Sequence, residues 1–537
     1  MLSFAPLLLA LAPSLQDQDA AHLIPADAIV LLRLGSLQGL ADIVTTVSTA
    51  AGEATGLDPA QILAGLQLPL DPSTLDLSKP IWMAVAIDPA APVPALTWVA
   101  AVKDAVAAKR LESDLAGGPM APVFQGDFVG FSMRAGYAVS ETPSPLVAAM
   151  APGLVSLHVD LAALVQAFGP IIDMGMKQAR MEMEALPMDQ SGFDLAPMME
   201  EYLDAIEALL DSAQSLDFAL ERRGERLAFS GSLLARAGSA MDGWESDARV
   251  DLATLAGHLD PLDSIQMLGA WDWAAMQRRL GSFVEAALDA YPEEMARQMT
   301  VLWDEQVAMA DQFLPGVASS FHLDAQGVRG VYVLRAKDPA LVIERLGAIM
   351  EGFTGPESMV SFERGEPLAS GERHATLWRV NVSWDAFDEL GEGEGQQARR
   401  FMEEFYGKEL CLAMATNGPD QVVTYMGPEA RVRAAFERGS GDSPTRPGLT
   451  RLLERAGSGA PSFVYLFDFG RLLGSVNQAI GAFAPGEAAV LPDLPLEFGN
   501  WFSIRGALWS AGVEADLGQI VRYVQAATQL EAADEDR

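Results

Sequence analysis

Four stretches of the chain share one arrangement of apolar and polar positions. Residues 29–40 (IVLLRLGSLQGL), 154–164 (LVSLHVDLAAL), 265–276 (IQMLGAWDWAAM) and 463–473 (FVYLFDFGRLL) each begin as a run of branched or aromatic residues and then change to apolar spacings of three and four. That change predicts a strand feeding directly into a helix. Ser36, Asp160, Asp272 and Asp468 stand at or near the change. A short oxygen-bearing side chain there can accept hydrogen bonds from the unpaired amides of the first helical turn, so these residues are read as N-caps and not as catalytic groups.

Hairpin patterns come next along the chain. Residues 215–235 turn at Arg222-Arg223-Gly224-Glu225, residues 319–336 turn around Asp324 to Gly327, and residues 500–515 turn at Arg505-Gly506. In each, polar turn formers with glycine separate two alternating apolar runs. The runs 81–87 and 96–102 take the same place in the first repeat, joined by a longer proline-rich loop. Helices are predicted after three of the second strands, over 105–115, 339–350 and 517–529; the second opens on Asp338-Pro339, a strong helix start. Residues 130–140, with the proline-containing link and the short apolar stretch 146–150 behind them, match residues 411–425 with Gly427-Pro428 and the stretch 429–436. A duplication accounts for all of this: one half over residues 22–250, another over 258–530, a leader over 1–20 and a disordered acidic tail over 531–537. The expected fold is α+β, with tandem duplicated halves, mostly antiparallel sheets, helices packed on one face, and long Met-rich helices.

Those long helices carry a narrow apolar seam. Val284, Leu288, Tyr291, Met295, Met299, Leu302, Gln306, Met309 and Phe313 recur at spacings of three and four, with a break expected at Pro292. Another helical stretch, nearer the amino terminus, carries Met174, Met181 and Met188, then Met198, Tyr202, Ile206 and Leu209. Packing against the sheets or against each other is the plainer role. Flexible thioethers also suit adaptable apolar contacts, so Met174, Met181, Met188, Met295, Met299, Leu302 and Met309 are the candidate partner surface. Met174-x-Met176 and Met181-x-Met183 have the composition of copper(I) motifs. Residues two apart on a helix point to nearly opposite faces, so no metal site is assigned there.

Composition narrows the function classes. The 537 residues are 50% hydrophobic and 20% charged, which describes a globular chain. Their net charge of −37 would repel nucleic acid and anionic headgroups. The lone Cys411, between Leu410 and Leu412, excludes an intramolecular disulfide and any cysteine cage, and reads as a small buried hydrophobe. Residues 4–12 (FAPLLLALA) are about half as long as a membrane-spanning helix and suit the core of an export signal, with Ala12 and Ser14 at a cleavage spacing. No lysine or arginine precedes them. No later stretch reads as a transmembrane segment.

Motif chemistry is sparse. No HExxH, GxSxG or GxxxxGK[ST] string occurs, and no GxGxxG joins a strand to a helix. The five histidines lie too far apart for a helical metal pair; His158 and His322 fall inside predicted strands. The acidic groups Asp242, Glu245, Asp247 and Asp260, Asp263 lack calcium-loop spacing and are read as solvated surface. No catalytic residue, metal ligand or cofactor is assigned.

The opening Leu23-Ile24-Pro25-Ala26-Asp27-Ala28-Ile29-Val30 resembles a family of large secreted bacterial proteins of unknown function, whose repeats begin with a Pro-Ala-Asp turn feeding a strand. The resemblance covers the general plan of most of the mature chain. It implies export and a repeated α+β build, and carries over no catalytic residues. The sequence therefore points to an exported, non-enzymatic binding or scaffolding protein of the bacterial envelope, with a protein or an apolar ligand as partner and no nucleic acid. The alternative is a secreted hydrolase whose carboxylates converge only in the folded chain.

Overall fold

Each of the four strand-to-helix changes is closed by the side chain expected to cap it. The computed structural model describes residues 15–535 except 54–55, 57, 66–70, 88–93, 116–119, 135, 185–195, 240, 243, 245, 271, 290–292, 325–326, 353–359, 383–409, 440–442, 458, 461, 484–490 and 493. Ser36 Oγ accepts from the amide of Gly39 at 3.0 Å, and Asp160 Oδ1 from that of Ala163 at 2.9 Å. Asp272 Oδ1 accepts from Ala275 at 2.9 Å, and Asp468 Oδ1 from Arg471 at 3.3 Å. The bond always reaches three residues forward, as N-cap geometry requires. Residues 4–14, read from the sequence as an export signal, lie outside the described residues.

The chain divides into two compact units: Met1–Gly175 with Ala208–Met241, and Met176–Glu207 with Asp242–Arg537. The first holds β1 (Ala28–Leu34), β2 (Ile81–Ala86), β3 (Ala95–Ala101), β4 (Val123–Gln125), β5 (Phe128–Ser132), β6 (Val155–Asp160), β7 (Ala213–Arg223) and β8 (Arg226–Ala235). Their order is β4-β5-β3-β2-β1-β6-β7-β8, antiparallel throughout. Successive side chains on a strand point to opposite faces. On one face Leu31, Trp82, Val99 and Phe128 pack with Leu23, Ile24 and Val147. On the other, Leu34, Ile81, Ala100, Val129 and Phe131 pack with Leu37, Leu63 and Leu111, adding a second helical layer to the one expected.

The second unit begins with β9 (Ser246–Arg249), which pairs with β18 (Gly459–Ala460). Its main sheet comprises β10 (Ile265–Ala270), β11 (Phe313–Asp324), β12 (Gly327–Ala336), β13 (Val360–Arg364), β14 (Leu368–Ser370), β15 (Arg373–Val382), β16 (Leu410–Thr416), β17 (Gln421–Pro428), β19 (Ser462–Asp468), β20 (Glu497–Arg505) and β21 (Leu508–Asp516). The order is β15-β16-β17-β12-β11-β10-β19-β20-β21, again antiparallel, with β13 and β14 on the outer side of β15. From β16 to β21 the connectivity repeats that of β4 to β8 strand for strand, and β13 to β15 are an insertion. Cys411 is buried in the core of this unit beside Ala413, Val423 and Leu377.

The long helices also occur. Leu161–Glu184 and Ala196–Ser212 join β6 to β7, and Trp273–Asp289 and Glu293–Met309 join β10 to β11. Residues 290–292, with the break expected at Pro292, lie outside the described residues. The last helix, Leu517–Glu535, continues through most of the tail expected to be disordered, because Leu530, Ala532, Ala533 and the acidic residues around them are compatible with helix. Among the described residues no helix is long and apolar enough to cross a membrane.

Asp468 does more than cap. It is fully buried, and Oδ2 pairs with Arg446 at 3.0 Å and Arg471 at 3.3 Å, while Oδ1 also accepts from the Leu496 amide at 3.2 Å. Arg446, itself 8% exposed, also bonds Glu497 and donates to the Asp263 carbonyl at 2.9 Å. Asp160→Ala removes one cap and should cost about 1 kcal/mol. Asp468→Ala also strips a buried guanidinium of a counter-charge and should cost about 3 kcal/mol or more. Denaturant melts of the two variants check the ordering; equal losses would mean that Asp468 acts as a cap alone.

Candidate functional site

One six-residue string occurs at the same place in both units. His22-Leu23-Ile24-Pro25-Ala26-Asp27 leads into β1, and His258-Leu259-Asp260-Pro261-Leu262-Asp263 leads into β10. The residue before each histidine accepts a main-chain hydrogen bond from a later segment: Ala21 from Ser144 at 2.9 Å, Gly257 from Ser443 at 2.9 Å. The two turns are built alike, but their surroundings differ.

In the first unit the turn is occupied by its own chain. His22 Nδ1 bonds the Ser140 carbonyl at 2.8 Å, the Tyr137 hydroxyl donates to the Leu23 carbonyl at 2.5 Å, and Arg134 grips Asp27 at 2.7 and 2.8 Å. In the second unit the turn forms one wall of a cavity of about 700 Å³. Its other walls are Arg329, Gly330 and Val331 of β12, Tyr425 and Met426 of β17, Arg373 of the inserted β15, and Arg431, Ala434, Ala435 and Arg438 of the helix Glu429–Arg438. Gly330 lies opposite Met426 in the β12–β17 ladder. Any Cβ there would lie 2.8 Å from the Ser320 carbonyl, so only glycine lets β12 run this close.

The lining brings four guanidinium groups against the two carboxylates of Asp260 and Asp263, in a chain whose net charge is −37. Each arginine is positioned by its neighbours. Arg373 donates to the Glu437 carbonyl at 2.9 Å and lies over the Phe436 ring at 5.2 Å, which holds it at the carboxyl end of the helix. Arg431 pairs with Asp324 at 2.8 Å. Arg329 reaches Asp263 at 3.1 Å and Asp260 at 3.6 Å. Arg438 is exposed and makes no ion pair among the described residues.

Asp263, assigned to solvated surface on sequence spacing, is instead 2% exposed. Burial raises its carboxyl to about 6, against the opposing pull of the Ser320 hydroxyl, which donates to Oδ2 at 2.6 Å, and of Arg329. The Arg329 contact is an ion pair that misses hydrogen-bond geometry: Asp263 Oδ1 and Arg329 Nε are both buried without a hydrogen-bond partner among the described residues. His258 is 6% exposed, its Nδ1 likewise lacks a hydrogen-bond partner there, and burial lowers its pKa. Behind this wall Ser264 Oγ meets His322 Nδ1 at 2.9 Å, but His322 Nε2 is 3.9 Å from Asp324 and Ser264 is 1% exposed. That trio does not form a working nucleophile relay.

None of the described residues of the methionine surface read from the sequence is in the lining of this cavity. Met174 and Met181 are 64% and 62% exposed on Leu161–Glu184, and Met299 is 42% exposed on Glu293–Met309. Met309, at 4%, is packed inside because the chain turns there into Ala310–Gln312 and β11. Met188 and the side chains of Met295 and Leu302 lie outside the described residues. The helical course of Leu161–Glu184 through Met174, Met176, Met181 and Met183 fits the geometric objection to copper chelation. Among the described residues no group of three or more histidine, cysteine, aspartate or glutamate side chains could hold a metal ion. Asp160, Asp272 and Asp468 are not part of the cavity lining. The sequence reading missed this site; the repeated His-Leu-x-Pro-x-Asp string was a signal that could have found its turn, whereas the arginines carried none.

No family model matches the chain, and no curated protein does. Among solved structures, crystal form III of TP0453 is similar at a TM-score of 0.24 and 6% identity, over 50% of this chain and 97% of that one. Crystal form I of TP0453 gives 0.22 and 8%, over 53% and 100%. Likeness at this level carries no functional argument.

The raised Asp263 carboxyl has a stability consequence. Between pH of about 4 and 6 the native chain holds a proton that the unfolded chain has released, so stability falls as pH rises through this window. Above it the buried charge costs on the order of 3 kcal/mol. Asp263→Asn should therefore gain on the parent by about that amount between pH 4 and 7, measured by denaturant melts across the range. A pH-independent gap would place the carboxyl at its ordinary value.

Proposed function

We propose that this chain is an exported, non-enzymatic binding protein whose second unit captures a small organic anion. The observation that carries the reading is the convergence of Arg329, Arg373, Arg431 and Arg438 on one cavity in a strongly acidic chain. A surface of that composition ordinarily repels anions, so a local excess of guanidinium is a selective feature. Guanidinium presents a rigid fork of donors suited to carboxylate, phosphate or sulfonate oxygens. Leu262, Val331, Tyr425, Met426 and Ala434 supply apolar wall for the body of the ligand. This replaces the broader expectation of a protein or apolar partner with a ligand that is apolar at one end and anionic at the other. The export signal read at residues 4–14 belongs to the same proposal.

A hydrolase is the second reading, favoured by a raised carboxyl and a depressed imidazole lining one cavity. Binding is preferred because Asp263 is already engaged by Ser320 and Arg329.

Calorimetry with hexanesulfonate, inorganic sulfate and hexyltrimethylammonium tests the reading. Hexanesulfonate should bind most tightly, weaken as salt is added, and lose about tenfold or more in the double variant Arg329→Gln/Arg438→Gln. Binding of the cation at equal strength, or undiminished sulfonate binding by the double variant, would refute it. Turnover of chromogenic esters or glycosides, lost in Asp263→Asn, would favour the hydrolase.

A further inference from the structure

We infer that Asp263 is a built-in competitor for the Arg329 guanidinium, so that the cavity takes up anions more strongly as its surroundings become acidic. The inference rests on the anion-binding reading and adds its regulation. Its basis is geometric. Asp263 closes on Arg329 at 3.1 Å without hydrogen-bond alignment, leaving Arg329 Nε and Asp263 Oδ1 both unsatisfied among the described residues. A poorly aligned internal pair is the kind that an incoming oxyanion can replace with aligned bonds. Asp260, at 3.6 Å from the same guanidinium, adds only a longer-range contact.

The groups facing Asp263 define what happens on titration. From β11 comes the Ser320 hydroxyl, from β12 the Arg329 charge, from the end of the helix Glu429–Arg438 the Arg438 charge, and from its own turn Asp260. Arg446 holds only its main-chain carbonyl, so the turn stays anchored whichever way the carboxyl titrates. Protonation removes the negative charge nearest Arg329 and turns one Asp263 oxygen into a donor. Arg329 then faces the cavity with one counter-charge fewer. Burial puts this change near neutrality and not in the ordinary aspartate range. His258, on the same wall, has its pKa lowered by burial, and protonating it would act in the same direction.

The test uses the full chain and hexanesulfonate, whose charge is constant over the range. Affinity measured by calorimetry should rise about tenfold from pH 7.5 to pH 5. Asp263→Asn should bind at pH 7.5 about as tightly as the parent does at pH 5 and lose most of the pH dependence. Ser320→Ala, which removes a hydrogen bond that favours the ionised carboxyl, should move the midpoint to higher pH while leaving the limiting affinities in place. That second variant keeps the test decisive if Asp263→Asn folds poorly. Binding that is pH-independent in the parent, or a full pH response surviving in Asp263→Asn, would overturn the inference and leave the anion-binding reading intact. Failure of hexanesulfonate to bind any form at either pH would overturn both.

Discussion

The second unit depends on one buried guanidinium. Arg446 is anchored by the Asp468 and Glu497 carboxylates and the Asp263 carbonyl, which belong to β19, β20 and the turn before β10. A buried charge without partners is among the costliest defects a fold can carry, so the three segments must meet where the fork of the side chain can reach them all. That requirement fixes the turn 258–263 from behind. Its front face is then free to line the cavity without giving up its own backbone hydrogen bonds. In the first unit Ser144 precedes Pro145 just as Arg446 precedes Pro447, and its hydroxyl finds no hydrogen-bond partner among the described residues.

The two units therefore surround one framework differently. In the first, Tyr137, Arg134 and the Ser140 carbonyl satisfy the polar groups of the turn 22–27 from within the chain. In the second, the equivalent histidine keeps an unbonded ring nitrogen among the described residues, and the equivalent aspartate is buried against an imperfectly aligned arginine. The insertion β13–β15 contributes Arg373, a wall residue for which the smaller first sheet has no matching strand. Unsatisfied polar groups in a cavity are costly to maintain unless something is meant to meet them.

Much of the framework was legible in advance. The positions of Ser36, Asp160, Asp272 and Asp468 marked where strands become helices, and the polar turns at Gly224 and Gly506 marked the hairpins. These are local effects: a cap bonds three residues ahead, and a glycine turn needs only its own φ, which is +64° at Gly224 and +59° at Gly506. The methionine seam was legible as a helix and uninformative as a site, since spacing cannot tell that Met299 is exposed and Met309 buried.

What the sequence by itself determined was the α+β framework and its capped strand-to-helix changes, because those rest on interactions between near neighbours. What only the tertiary structure decided was the electrostatics: which of 73 acidic side chains is buried, and which few of the arginines share a cavity. Arg329, Arg373 and Arg438 are separated by tens of residues and meet through the pairing of β12 with β17, of β17 with β16 and of β16 with β15, and through the packing of the helix Glu429–Arg438 on β16 and β17. Asp263 looks like any other surface carboxylate until Ser320 on the neighbouring strand and Arg446, far along the chain, are brought against it. Charge acts through space and burial, and neither is written in local spacing.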